Sequence, residues 1–315
     1  MSDIEWTDET WNPVTGCTKV SPGCAHCYAE TFAERWRGVP GHPFEQGFAL
    51  KLWPERLTLP LKWKKPRRIF VNSMSDLFHE DVPFEFIDRV FAVMALTPQH
   101  TYQVLTKRPE RMREYLTTER HGMPTEGHVE LAKDLLSTEQ WGIGQFLGTW
   151  PLPNVWLGTS TENQHWLDIR VPELLATPAA VRFLSCEPLL GSLDLKLAMT
   201  RAYESGYRGR WPGWVIVGGE SGPKARPFDL AWARSIVSQC RAAGVPVFVK
   251  QLGANVRSTN DAGFDGDTAT SWPDGTQHNV AASYQGAPLR VFLKSRKGGD
   301  MAEWPEDLRV REWPV

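Results

Sequence analysis

The chain has 315 residues, 41% of them hydrophobic, and a formal net charge of −2, enough for one core of α/β-barrel size and too little positive charge for a non-specific duplex binder. No run of about 18 apolar residues occurs, so no membrane span is expected, and the acidic start MSDIEWTDETW lacks the apolar segment of a signal peptide. Five cysteines do not make a secreted disulfide framework, so a reduced, cytoplasmic setting is expected.

A first strand is expected over residues 11–15, just before three clustered cysteines, with a helix starting at Tyr28. Residues 38–65 form an insertion rich in proline and basic residues. Short apolar, β-rich runs then recur at 68–74, 102–108, 155–161, 181–188, 214–221 and 245–252. They read as buried parallel strands. Helical spacing appears at 84–96, at 109–116 with proline in its first turn, and at 229–243 before Gly244. Residues 121–150, holding one short helix, and 193–212 are further insertions. Strand and helix in alternation predict an α/β fold, a partial or irregular (β/α) barrel of about six to seven parallel strands. The barrel core is expected over 1–252. A loop-rich extension over 253–315 is expected to pack on it as a lid-like tail, with a hairpin and short extended pieces at 289–293 and 309–313.

The cysteines form the pattern C-x6-C-x2-C at Cys17, Cys24 and Cys27. Soft thiolates this close select zinc or an iron-sulfur cluster. Structural zinc takes four ligands, so a fourth would have to come from His26, His42 or a distant cysteine. Three thiolates on a four-iron cube leave one iron open to a cofactor. Pro22 and Gly23 allow the loop to turn sharply.

Several stretches carry a resemblance: WNPVTGCT at 11–18, GCAHCYAET at 23–31, VNSMSDLFH at 71–79, VLTKRPE at 104–110, LGTSTENQ at 157–164, FLSCEPLLGS at 183–192, VGGESGP at 217–223 and FVKQLGA at 248–254. On these the chain resembles the radical-SAM superfamily, and within it a phage-associated family with a three-cysteine motif and no assigned reaction. The first cysteine gap is three residues longer than the common superfamily spacing. The resemblance implies a 4Fe-4S cluster on Cys17, Cys24 and Cys27 that cleaves S-adenosylmethionine (SAM) to abstract hydrogen from a substrate. It also implies an electron donor such as flavodoxin or ferredoxin, and places Tyr28 near the adenine.

Ligands in parallel α/β sheets bind beyond the strands' C-terminal ends. The residues there are Ser73, Ser75 and Asp76, where the resemblance puts the SAM amino group; Lys107, beside Arg108; Thr159, Ser160, Glu162 and Asn163, suited to a carboxylate and a ribose; and Glu187 and Glu220, expected to face the substrate cavity. Ser160 or Thr161 has a competing role as a helix cap, Thr161 with Gln164 resembling a capping box. Two rival readings stand beside the enzyme: a zinc-stabilised nucleic-acid interaction module, supported by basic stretches at 63–68 and 294–299, and an inert iron-sulfur binding protein. A nucleic acid or a nucleotide is among the substrates considered.

Overall fold

The computed structural model describes residues 4–137, 149–204, 206–209, 211–258, 279–281 and 289–314. In chain order the elements are β1 (Glu9–Trp11), β2 (Val14–Thr15), α1 (Tyr28–Glu34), β3 (Lys51–Leu52), β4 (Arg68–Val71), α2 (Phe84–Leu96), β5 (Thr101–Thr106), α3 (Pro109–Thr117) and α4 (Thr125–Ser137). They continue with β6 (Val155–Ser160), α5 (Gln164–Ala176), β7 (Val181–Cys186), α6 (Leu195–Glu204), β8 (Trp214–Gly218), β9 (Phe228–Asp229) and α7 (Leu230–Ala243). The last are β10 (Val247–Gln251), β11 (Val256–Ser258), β12 (Asn279–Ala281) and β13 (Leu289–Phe292).

Seven strands form one sheet in the order β1-β4-β5-β6-β7-β8-β10. It is a curled, half-barrel parallel sheet flanked by helices, in line with the expected partial (β/α) barrel. The apolar centres explain its depth: Ile69, Val71, Val104, Phe183, Ile216 and Phe248 are all buried. The described parts of the expected helices stand within a residue or so of their limits. Asp229 caps α7 by accepting from the Ala231 N–H at 2.9 Å, and Gly244 ends it at φ 66°, a left-handed conformation open to glycine.

The expected first strand is divided. Glu9–Trp11 pairs parallel to β4, whereas Val14–Thr15 pairs antiparallel to β3. Pro13 lies between them and has no N–H for a ladder. The helix whose start the Thr161–Gln164 pattern signals runs over 164–176 and carries Pro172 inside it. The one over 195–204, inside the third insertion, was not expected. The hairpin region contains β11, β12 and β13 in one small sheet with β9; residues 259–278 and 282–288, like 138–148 of the second insertion, lie outside the described residues.

Two compact units are formed: Met1–Thr159 with Glu173–Arg182, and Ser160–Pro172 with Phe183–Val315. The tail belongs to the second. Its Lys297 and Gly298 carbonyls accept from the N–H groups of Gly253 and Leu252, just past β10. Farther on, Val249 N–H donates to Val310 O at 2.8 Å and Glu312 N–H to Val247 O at 3.0 Å. That stretch therefore runs antiparallel along β10, a role beyond the expected lid. Among the described residues, no helix is long and apolar enough to cross a membrane.

Candidate functional site

In the first unit, β1 and β2 lead directly into the cysteine loop. Gly16 turns the chain there at φ 84°, and a Cβ at this position would sit 2.2 Å from Ala49 O. Only glycine accommodates both. Gly16 N–H donates to Met74 O at 3.0 Å and Cys17 N–H to Phe48 O at 3.3 Å. The loop is thus fastened to the turn after β4 and to the insertion. Pro22–Cys24 forms a 3-10 turn, and Cys27 stands at the N-terminus of α1. All three thiols are free and half-buried.

The turn after β4 depends on local side-chain chemistry. Asn72 takes φ 59°, a region asparagine tolerates, and its Oδ1 accepts from Val14 N–H at 3.3 Å. Asn12 Oδ1 accepts from Ser73 Oγ at 3.2 Å and from Met74 N–H at 2.9 Å. Ser75 Oγ donates to Val14 O at 2.8 Å. The exposed Tyr28 donates its hydroxyl to Ser73 O. Four of the expected cofactor residues, Tyr28, Ser73, Ser75 and Asp76, therefore surround one turn beside the cysteine loop.

Asp76 is buried and fully engaged. Its Oδ1 accepts from Phe78 N–H at 3.0 Å and Thr106 Oγ1 at 2.7 Å; its Oδ2 accepts from Lys107 N–H at 3.0 Å and Arg108 Nη1 at 3.3 Å. These donors occupy the roughly four acceptor positions of a carboxylate. Lys107 therefore meets Asp76 through its backbone, and Thr159 supports the same strand end by donating to Thr106 O at 2.9 Å.

Arg108 is the centre of the polar network. It donates to Glu80 Oε2 at 3.2 Å, to Thr18 Oγ1 at 2.7 Å and to Cys17 Sγ at 3.5 Å, besides Asp76. The buried His79 accepts at Nδ1 from Asp81 N–H, 3.1 Å away, so its proton sits on Nε2, 2.9 Å from Thr18 Oγ1. Burial, then the neighbouring Arg108 charge, lowers the His79 pKa and keeps the ring neutral. Burial, then the Asp76 charge, pushes the Cys17 thiol up to about 11 against the pull of Arg108. Thr18, His79, Glu80 and Arg108 were missed as site residues. The available signal was the Lys107–Arg108 pair at a strand end, where alternation directs one cation toward the cysteines.

The second unit closes its carboxylates in separate ion pairs. Glu162 and Arg170, both fully buried, meet at 2.8 Å, and Arg170 also donates to Ser160 O at 2.8 Å. Asn163 accepts from Trp166 N–H at 3.1 Å, so it caps α5 in place of the expected Ser160 or Thr161. Thr161 Oγ1 instead lies 3.3 Å from Cys186 Sγ. Glu220 is held by Arg226 through Nη2 at 2.7 Å and Nε at 3.1 Å. Glu187 is half-buried and accepts from Lys250 Nζ at 2.7 Å.

Among the described residues, no three His, Cys, Asp or Glu side chains converge on a single-ion position. The three half-buried thiols on one glycine-turned loop are the soft donors that either a zinc ion or an iron-sulfur cluster would require.

A family model described as a protein of unknown function, DUF5131, matches residues 1–292. The chain belongs to this family. No curated protein and no solved structure matches it. The DUF5131 region includes the cysteine loop, the turn after β4, Arg108 and the Glu162–Arg170, Glu220–Arg226 and Glu187–Lys250 ion pairs; the strand-pairing tail at 310–312 lies beyond it.

Proposed function

We propose that this chain is a radical-SAM enzyme that holds a 4Fe-4S cluster on Cys17, Cys24 and Cys27. The observation supporting it most is the fastening of a three-thiol loop to the turn after β4 and to Arg108 after β5, at the C-terminal ends of parallel strands. When bound, the cluster supplies the electron for reductive cleavage of SAM and hydrogen abstraction from the substrate.

The chain's own residues divide the work. Ser73 O and Met74 O each accept one protein donor and keep a second lone pair, which suits an ammonium group. Asp76, with its acceptor positions filled, positions the turn and Arg108. The Arg108 guanidinium, against Cys17 Sγ, offsets the negative charge that metal-bound thiolates gather. The ring of Tyr28, oriented by its hydroxyl, provides an apolar face for adenine.

Anaerobic reconstitution tests this. The protein is expected to bind about four irons per chain and, once reduced, to convert SAM slowly into 5′-deoxyadenosine, measured by chromatography. Cys24→Ala is expected to lose both iron and product. Stoichiometric zinc without iron, or no product from a verified reduced cluster with SAM bound, overturns the reading.

A further inference from the structure

The insertion between α1 and β4 concentrates charge. Residues 51–68 hold seven Lys or Arg and one acidic residue, Glu55, in a chain whose net charge is −2. The hydrogen bonds fix its course. Lys51 pairs with Thr15, Trp53 N–H donates to Pro13 O at 2.8 Å, and Trp11 Nε1 donates to Arg56 O at 2.8 Å. Arg67 and Arg68 then pair with Glu9 and Asp8. The segment is therefore a strap that follows the outer edge of β1 as far as Arg56, then crosses α2 and the turn before β5, where Trp63 O accepts from Gln99 Nε2 at 3.4 Å, and reaches the opposite end of the strand at Arg67.

Four of the cations on this strap, Lys51, Lys62, Lys64 and Lys65, are exposed, whereas Arg56, Arg67 and Arg68 are half-buried. Lys51 Nζ and Arg56 Cζ each lie 3.8 Å from the Trp53 ring, which holds two positive charges near the cysteine strand. Lys62, Lys64 and Lys65 are exposed and enter no ion pair with the described residues. At the cysteine end, α1 presents Tyr28 and Phe32 four residues apart, with relative exposures of 58% and 44%, and Trp36, in the turn after the helix, stacks on His42 at 4.1 Å. Residues four apart share a helix face. A linear row of cations matches a linear polyanion, and exposed aromatic faces match unpaired bases, which a duplex hides.

We propose that a single-stranded polynucleotide lies along the basic strap from Lys65 to Lys51 and stacks an unpaired base on the α1 face beside Cys27. As a statement of substrate class this rests on the radical-SAM reading; as a statement of binding it does not, and the test reads binding alone.

The test is fluorescence anisotropy of a labelled oligo(dT) of about 20 nucleotides with the full chain, iron-loaded or iron-free. Saturable binding that weakens with salt is expected. The K62A/K64A/K65A variant is expected to bind more weakly and to lose roughly two from the log–log salt slope, at ~0.7 per phosphate contact. Phe32→Ala is expected to weaken binding roughly five-fold with the slope unchanged, as lost stacking predicts. Substituting Lys294, Arg296 and Lys297 by alanine removes the same charge elsewhere and is expected to change little. Flat anisotropy at roughly 50 mM salt, an unchanged slope in the strap variant, or equal losses in both triple variants overturns the proposal. So does strap-dependent binding of an acidic flavodoxin where oligo(dT) gives none, which assigns the surface to a protein.

Discussion

Replacing Asp76 by asparagine separates a carboxylate that holds the site together from one that awaits a ligand. Asp76 receives two donors on each oxygen. An asparagine keeps one oxygen, best placed toward Phe78 N–H and Thr106 Oγ1, the pair containing the 2.7 Å contact. Its NH2 group then faces Lys107 N–H and Arg108, donor against donor. Leaving a buried N–H unsatisfied costs about 1–3 kcal/mol, and a lost bond to a charged group about 1.5–3 kcal/mol. Arg108 retains Thr18 and Glu80, which favours the lower ends, so the sum is about 2.5 kcal/mol. Urea unfolding followed by tryptophan fluorescence measures this directly. Iron retention is expected to fall in parallel, because Arg108 contacts both Asp76 and Cys17. A variant within about 0.5 kcal/mol of wild type, with iron content intact, refutes the assignment of Asp76 as the tie between the strand ends.

Gly16→Ala forces a Cβ onto Ala49 O at a positive φ; a loss of stability above about 1 kcal/mol and poor iron incorporation are expected in reconstitution assays. Arg170→Met leaves Glu162 charged and buried, a change expected to cost about 3–5 kcal/mol in urea unfolding; an unaltered midpoint argues against that ion pair. Glu34, hydrogen-bonded by Arg37 and then by Phe48 N–H, is lowered from 4.5 to about 2. Its folded pKa lies below the unfolded one, so its contribution is full above about 4.5 and fades as pH falls toward 2. Carboxyl NMR titration reads that value, and an ordinary titration midpoint contradicts it.

The parallel sheet was legible because its strands are written as continuous apolar runs, such as Trp214–Gly218, buried at every position. The break at Pro13 was legible in principle, since a missing N–H is a local property. Asn163 illustrates a harder case. Thr161 with Gln164 satisfied a capping pattern, yet the helix begins at Gln164 and Asn163 accepts from Trp166 N–H. The strand-end rule found the neighbourhood of the first-unit site, and tertiary pairing decided the roles within it. No spacing rule announces that Arg108 meets Cys17 across 91 positions, or that Lys250 meets Glu187 across 63. For the same reason, equally plausible acids diverge: Glu162 vanishes into an ion pair with Arg170, whereas Glu187 stays half-open.

The antiparallel run of residues 310–312 along β10 has a consequence for how the protein survives at high concentration. An unpaired edge strand offers its N–H and C=O groups to any other chain, and β10 is short, apolar and almost wholly buried. Val310 and Glu312 occupy the main-chain groups of Val249 and Val247, and the Glu312 side chain takes the remaining Val247 N–H at 3.0 Å. Trp214 Nε1 donates to Glu312 O at 2.8 Å, pinning the same stretch. These few residues work as a guard against self-association. Trimming the chain before Val310 removes Trp313 from the face of Phe248 and uncovers an adhesive edge, so shortened versions are expected to precipitate.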